Sequence, residues 1–102
     1  MMGIDAPAET VTVSGPVKTY RSSPFAERAW CDRCGSALWL RDDGKEYEFV
    51  PGLFENAGGA RLTRIVYADR KPDGWDFAGT LHRVSREDYE KSNPFVREGE
   101  MP

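Results

Sequence analysis

"AERAWCDRCGSALWL", residues 26–40, holds both cysteines of the chain, and its reading decides the fold. A Trp-Cys-x-x-Cys loop in a chain of 102 residues fits a dithiol redox protein if a long amphipathic helix follows it. The helix dipole would then lower the pKa of the first thiol. Here Gly35-Ser36 follows the pair, and "ALWLR" then ends at the Asp42-Asp43-Gly44 turn within a few residues. So short a segment bounded by turn residues suits a strand and leaves no room for a long helix, so the expected local structure is strand, tight cysteine turn, strand. The dithiol redox reading, in which Arg33 favours a thiolate, stays as an alternative.

The same turn suits a metal. Two thiolates separated by two residues can chelate one tetrahedral zinc, and a glycine after the second cysteine suits a knuckle that needs positive φ. Cys31 and Cys34 are therefore the candidate metal ligands, and they supply half of a four-ligand set. His82 is the one histidine of the chain and a candidate third ligand, while 17 acids offer no basis for choosing a fourth. The bland alternative is two free thiols in a turn.

Outward from this stretch, short strands dominate. "TVTVSG" (10–15) alternates, "VKTYRS" (17–22) follows a Gly-Pro break, and "KEYEFV" (45–50) answers "SALWLR" (36–41) across the Asp42-Asp43-Gly44 turn. Tyr47 and Phe49 fall on one face. "RLTRIVYA" (61–68) and "WDFAGTLHRV" (75–84) are further extended segments. Ser85 is placed to cap a short helix with Glu87 and Asp88 in its first turn, ended by Asn93-Pro94. Residues 1–9 read as a flexible tail, and "FVREGEMP" (95–102) as another. Trp30, Trp39, Trp75, Phe25, Phe49, Phe54 and Phe77 are the expected core; an aromatic ligand pocket is the alternative.

Composition excludes several classes. The formal charge is −3 and the isoelectric point about 5.1, which argues against nucleic-acid binding because phosphate contacts need a basic field. The mean hydropathy of −0.62 and the lack of any apolar run near the ~20 residues of a membrane span argue against a membrane protein. "MMGIDAPAET" has neither a basic nor an apolar leader region, and a close cysteine pair suits a reducing compartment, so the expected location is cytoplasmic. No Ser-His-Asp set and no phosphate loop can be assembled: "NAGGAR" lacks the Lys-Ser/Thr that would follow.

At this point the sequence resembles a known family. "VTVSGPVKTYRSSPFAERAWCDRCGSALWL" (11–40) is similar to a stretch of the glutathione-dependent formaldehyde-activating enzymes (GFA), also called the centromere protein V family. The matching residues are Gly15, Tyr20, Ser22, Ser23, Arg28, Trp30 at an aromatic position, Cys31, Cys34, Gly35, Ser36 and Leu38. Gly52-Leu53-Phe54-Glu55 resembles that family's Gly-x-Leu-Asp turn, and "RIVYADRKPDGWDF" (64–77) is similar more loosely. The resemblance spans residues 10–80. It implies a mostly β fold of the β-tent type, with small antiparallel sheets and a short C-terminal helix. It divides the chain into a flexible tail (1–9), a GFA-like β domain lacking its N-terminal side (10–80), and a short helix and tail (81–102).

The resemblance also implies chemistry. Family members are carbon–sulfur lyases that join formaldehyde to glutathione, giving S-hydroxymethylglutathione. They hold a structural zinc with an N-terminal Cys-x-Cys and the later Cys-x-x-Cys, and a catalytic zinc with a separate Cys-x-Cys-x-x-Cys cluster. Here only Cys31 and Cys34 match, and the family's His-Ile/Val-Trp strand reads Arg64-Ile65-Val66. The expectation is a shortened, non-catalytic relative with a residual zinc knuckle and no catalytic residue of its own. Two alternatives accompany it: an active lyase completed by a partner chain, and a dithiol redox protein. Glutathione is a partner by resemblance, and a homodimer pooling two Cys-x-x-Cys pairs would supply four thiolates.

Overall fold

A computed structural model describes residues 2–94. They fall into two compact units, Met1–Ala60 and Arg61–Pro102. The expected C-terminal tail lies outside the described residues. The architecture is mostly β with one short C-terminal helix, as the sequence patterning required.

The first unit is a five-stranded antiparallel sheet. Its strands are β1 (Ile4–Ala6), β2 (Val17–Ser23), β3 (Ala26–Cys31), β4 (Ala37–Asp42) and β5 (Tyr47–Phe49), in spatial order β1-β5-β4-β3-β2. The β4–β5 hairpin closes as its turn residues demand: Lys45 N–H donates to Asp42 C=O at 3.0 Å, and Gly44 takes φ +72°. Cross-strand register then aligns Ile4, Phe49, Trp39, Ala29 and Thr19 in one row. Directly opposed residues share a face, so this row defines the apolar side of the sheet. Trp39 meets Tyr47 and Phe49 edge-on, with centroids 5.3 and 6.0 Å away, and Phe49 meets Phe54 at 5.6 Å.

The sheet departs from expectation at its margins. Ile4–Ala6, assigned to a loose tail, pairs with β5 and satisfies backbone groups that β5 would otherwise expose along its free edge. "TVTV" does not form a strand. Pro7 opens a 3-10 turn over Ala8–Thr10, in which Thr10 donates to Pro7 C=O from both N–H and hydroxyl, and residues 11–14 run on irregularly. Alternation alone supplies no ladder partner, and β5 already has β1 and β4 on its two edges.

The core is smaller than the aromatic count implied. Among the described residues, those buried are Ala26, Ala29 and Trp39, whereas Trp75 is 53% exposed and Phe25 and Phe54 stay open to solvent. Trp75 packs edge-on with Phe77 at 5.1 Å beneath the Lys71 ammonium, a local cluster of the second unit.

At the other margin β2 is an edge strand. Arg21 donates both terminal guanidinium nitrogens to the Asp43 carboxylate at 2.7 Å, and one of them also to Pro24 C=O. The Arg21 hydrogen bond holds the Asp43 carboxyl below its ordinary value of 3.8. The stabilisation from this clamp is therefore complete above that ordinary value and is lost as pH falls through the lowered one. Both groups are exposed, so the effect is modest. The urea midpoint of the sheet is expected to hold from neutrality to about pH 5 and to decline below about pH 4. Asp43→Asn should lower the neutral midpoint and remove most of that acid limb. A variant profile parallel to wild type would contradict this.

The second unit pairs β6 (Arg64–Val66) with β7 (His82–Val84) in parallel, not antiparallel. Tyr67, directly after β6, adopts φ +55°, a left-handed turn no glycine announces. Helix α1 (Arg86–Ser92) is capped by Ser85, whose hydroxyl accepts from Asp88 N–H at 3.1 Å, while Asp69 accepts from Arg86 N–H at 2.8 Å. The Tyr67 hydroxyl donates to Glu90 at 3.1 Å, and its ring tilts against Tyr89. A helix this short is held by such contacts rather than by propensity. Ser85→Ala is expected to cost about 1 kcal/mol of helix stability, read as faster amide exchange at Asp88.

Candidate metal half-site

Strand β3 ends at Cys31, and the chain turns back on itself to enter β4. Cys31 N–H donates to Ser36 C=O at 2.9 Å, and Gly35 N–H donates to Cys31 C=O at 2.8 Å. Asp32 N–H donates to Pro16 C=O at 2.8 Å, tying the turn to the start of β2. Gly35 sits at φ +79°, and a Cβ built there would meet nothing within 4 Å. The glycine is required by backbone conformation and not by crowding. Gly35→Ala should therefore cost about 1–2 kcal/mol, the strain of an L-residue in the left-handed region. Gly35→Asn should cost less, because asparagine tolerates that conformation. Equal urea midpoints for wild type and both variants would refute the assignment.

Both cysteines are free; Cys31 is half-buried and Cys34 is exposed. The Cys34 thiol lies 3.2 Å from the Ser36 hydroxyl. Its pKa is drawn below the ordinary thiol value first by that hydroxyl, then by the Ser36 backbone and the Cys31 side chain. A strand follows the pair, so no helix dipole contributes. Cys31 stands opposite Val17 in unbroken β2–β3 register, which puts it on the same face as Ala29 and Thr19. The turn thus presents two neighbouring thiols at the end of the apolar face.

A groove of about 480 Å³ opens on that face, lined by apolar side chains including Ile4, Val17, Leu38, Trp39, Phe49 and Phe54, with the hydroxyl residues Thr10 and Ser14 among them. Trp39, Phe49 and Phe54, expected in the core, line this groove. Period-two alternation puts Tyr47 and Phe49 on one face, but nothing local foretells that residues 10–14 run along the groove as irregular chain.

The other singled-out residues belong to other elements. His82 is exposed in β7, opposite Arg64, and lines a smaller cleft of about 280 Å³ within the second unit with Arg83 and Asp88. Among the described residues, no group of three or more His, Cys, Asp or Glu could hold a metal ion. The donor set therefore fits half of a tetrahedral zinc site and not a whole one. Tyr20, 64% exposed on edge strand β2, faces Arg28 in the ladder on the side of the sheet away from the cysteine row.

Against known proteins, the chain is 33% identical over 85 residues to an uncharacterized lyase of the yeast Schizosaccharomyces pombe. The alignment takes in 81% of this chain and 62% of that protein, so the chain spans less than two thirds of its relative's length. The likeness is thus to a protein of lyase kind. No family model matches the chain, and no solved structure matches it.

Proposed function

We propose that this chain is a GFA-type (centromere protein V-type) domain of the carbon–sulfur lyase class, in which Cys31 and Cys34 are two of the ligands of a zinc knuckle. The observation that carries the reading is the Cys31–Gly35 turn. It is closed by two backbone hydrogen bonds, has glycine at positive φ, and presents two adjacent thiols where one strand hands over to the next. The similarity to a lyase supports the same class from an independent direction. Zinc would cross-link β3 and β4 at the sheet's end, and its binding would displace protons from both thiols.

On this reading the chain alone binds metal and does not turn over formaldehyde and glutathione. The family's catalytic Cys-x-Cys-x-x-Cys cluster finds no match among this sequence's two cysteines. The alternative is an active lyase whose remaining ligands come from a partner chain. Two measurements separate them. Zinc content should fall to background in Cys31→Ser and Cys34→Ser, and formaldehyde-dependent loss of glutathione should stay at background with or without added zinc. Turnover that requires the cysteines would replace the binding reading with the catalytic one.

A further inference from the structure

We propose that Asp73 is a site of self-modification, at which the Asp73–Gly74 linkage closes to a succinimide and reopens as iso-aspartate. The chain carries two Asp-Gly pairs, Asp43-Gly44 and Asp73-Gly74, and neither of its asparagines precedes a glycine. Glycine in the second position matters because it has no Cβ to shield its own amide nitrogen. In the step, the Gly74 nitrogen attacks the Asp73 Cγ and loses its proton, and one carboxyl oxygen leaves as water. Water then adds back to either ring carbonyl. Opening at the Asp73 main-chain carbonyl leaves the chain running through Cγ, whereas opening at Cγ restores aspartate. One water leaves and one returns, so the mass is unchanged and no electrons are transferred.

The structure separates the two pairs. Asp43 is clamped: both its carboxylate oxygens accept from Arg21 at 2.7 Å, its N–H donates to Phe25 C=O at 2.7 Å, and the Lys45–Asp42 bond closes the hairpin turn around it. Arg21 also holds it as the carboxylate, the form from which oxygen does not depart as water. Asp73 and Gly74, by contrast, form an exposed turn. Neither has a hydrogen bond or an ion pair among the described residues, so the Asp73 carboxyl is free to swing onto the following nitrogen. The product is not silent. The Lys71 ammonium donates to Pro72 C=O at 2.6 Å and to Trp75 C=O, and it lies 5.5 Å from the centre of the Trp75 ring. An iso-aspartyl linkage adds one carbon to the main chain between those two carbonyls and so alters the span that Lys71 bridges. It also leaves a carboxylate on the Asp73 Cα, in a solvent-facing turn where a carboxyl methyltransferase can reach it.

The experiment is prolonged incubation of the full chain at neutral pH and body temperature, folded and in urea. Iso-aspartate is quantified with an isoaspartyl carboxyl methyltransferase and a labelled methyl donor, and located by electron-transfer fragmentation of proteolytic peptides. The expected result is accumulation at Asp73 and not at Asp43 in the folded chain, and comparable conversion of both pairs in urea. Gly74→Ala should lose most of the signal at Asp73. That variant keeps the fold, because a Cβ there meets nothing within 4 Å and the glycine lies outside the left-handed region. Asp73→Glu, which cannot close a five-membered ring, should lose the signal altogether. Arg21→Gln should turn Asp43 into a second site. Equal conversion of Asp43 and Asp73 in the folded chain overturns the proposal, as does a Gly74→Ala chain that accumulates iso-aspartate like wild type. A folded wild type in which Asp73 stays unmodified while the urea sample converts overturns it too. An Asp43 that stays unmodified in Arg21→Gln overturns the clamp as the cause of the contrast.

Discussion

Trp39→Ala is expected to unfold the first unit at room temperature. Trp39 is the large residue among the three buried ones, and the others are alanines. It touches Tyr47 and Phe49 edge-on and donates its indole N–H to Glu27 at 3.3 Å. Truncating a buried tryptophan to alanine costs about 3–5 kcal/mol. A single core of this size rarely supplies more than about 3–5 kcal/mol in total, so the loss consumes most of what holds the sheet. The loss should appear as collapsed amide dispersion for residues of β3 to β5, with the cooperative urea transition gone. Trp39→Phe keeps a ring against Tyr47 and Phe49, gives up the Glu27 hydrogen bond, and should remain folded at reduced stability. A Trp39→Ala protein with a cooperative transition within about 1 kcal/mol of wild type would show that the sheet is held by something other than this row.

Ala29→Leu is the second large effect, and it comes from the opposite error of volume. Ala29 is 3% exposed and stands directly across from Trp39 in the β3–β4 ladder, with Thr19 on its other side. The small side chain leaves the space the indole occupies. A leucine there competes for that space and forces off-rotamer side chains or a backbone shift, at a cost of about 1–3 kcal/mol. Ala37→Leu is the control: Ala37 is exposed in β4, opposite Trp30, and should tolerate the same enlargement. Urea midpoints should fall for Ala29→Leu and stay near wild type for Ala37→Leu. Equal midpoints would mean that the row of Ile4, Phe49, Trp39 and Ala29 does not set the packing.

These residues also mark what the sequence could and could not disclose. The β4–β5 hairpin was legible because its information is local: Asp42-Asp43-Gly44 specifies a turn, and the flanking alternation fixes which side chains face together. The cysteine turn was legible for the same reason, since Gly35 and the Asp42-Asp43-Gly44 turn leave "ALWLR" too short for a long helix. Strand β1 was not legible, because three residues carry no period and exist as a strand only through the edge that β5 offers. The parallel β6–β7 pair was hidden by the irregular segment between Tyr67 and Leu81 and by a left-handed Tyr67 that no turn residue signals. The core was overestimated because an aromatic count measures supply and not coverage: only one of the three tryptophans has enough chain around it to be buried. For the site, spacing singles out Cys31 and Cys34 as candidates, and it carries no signal for any further donor.

The margin of the sheet formed by β2 bears on how copies of this chain can meet. Seven residues of unpaired strand edge would ordinarily recruit a neighbour's edge and extend the ladder without limit. Here the ladder register slips between Arg21 and Ser23, and the slip bends the strand out of line. Lys18 adds a charge to the edge, and the Arg21 guanidinium is folded back onto Asp43 and Pro24. A neighbouring strand laid along this edge would meet a kink and a cation where it needed a straight row of amides. Lateral growth into fibres is thereby discouraged by the shape and charge of the edge itself.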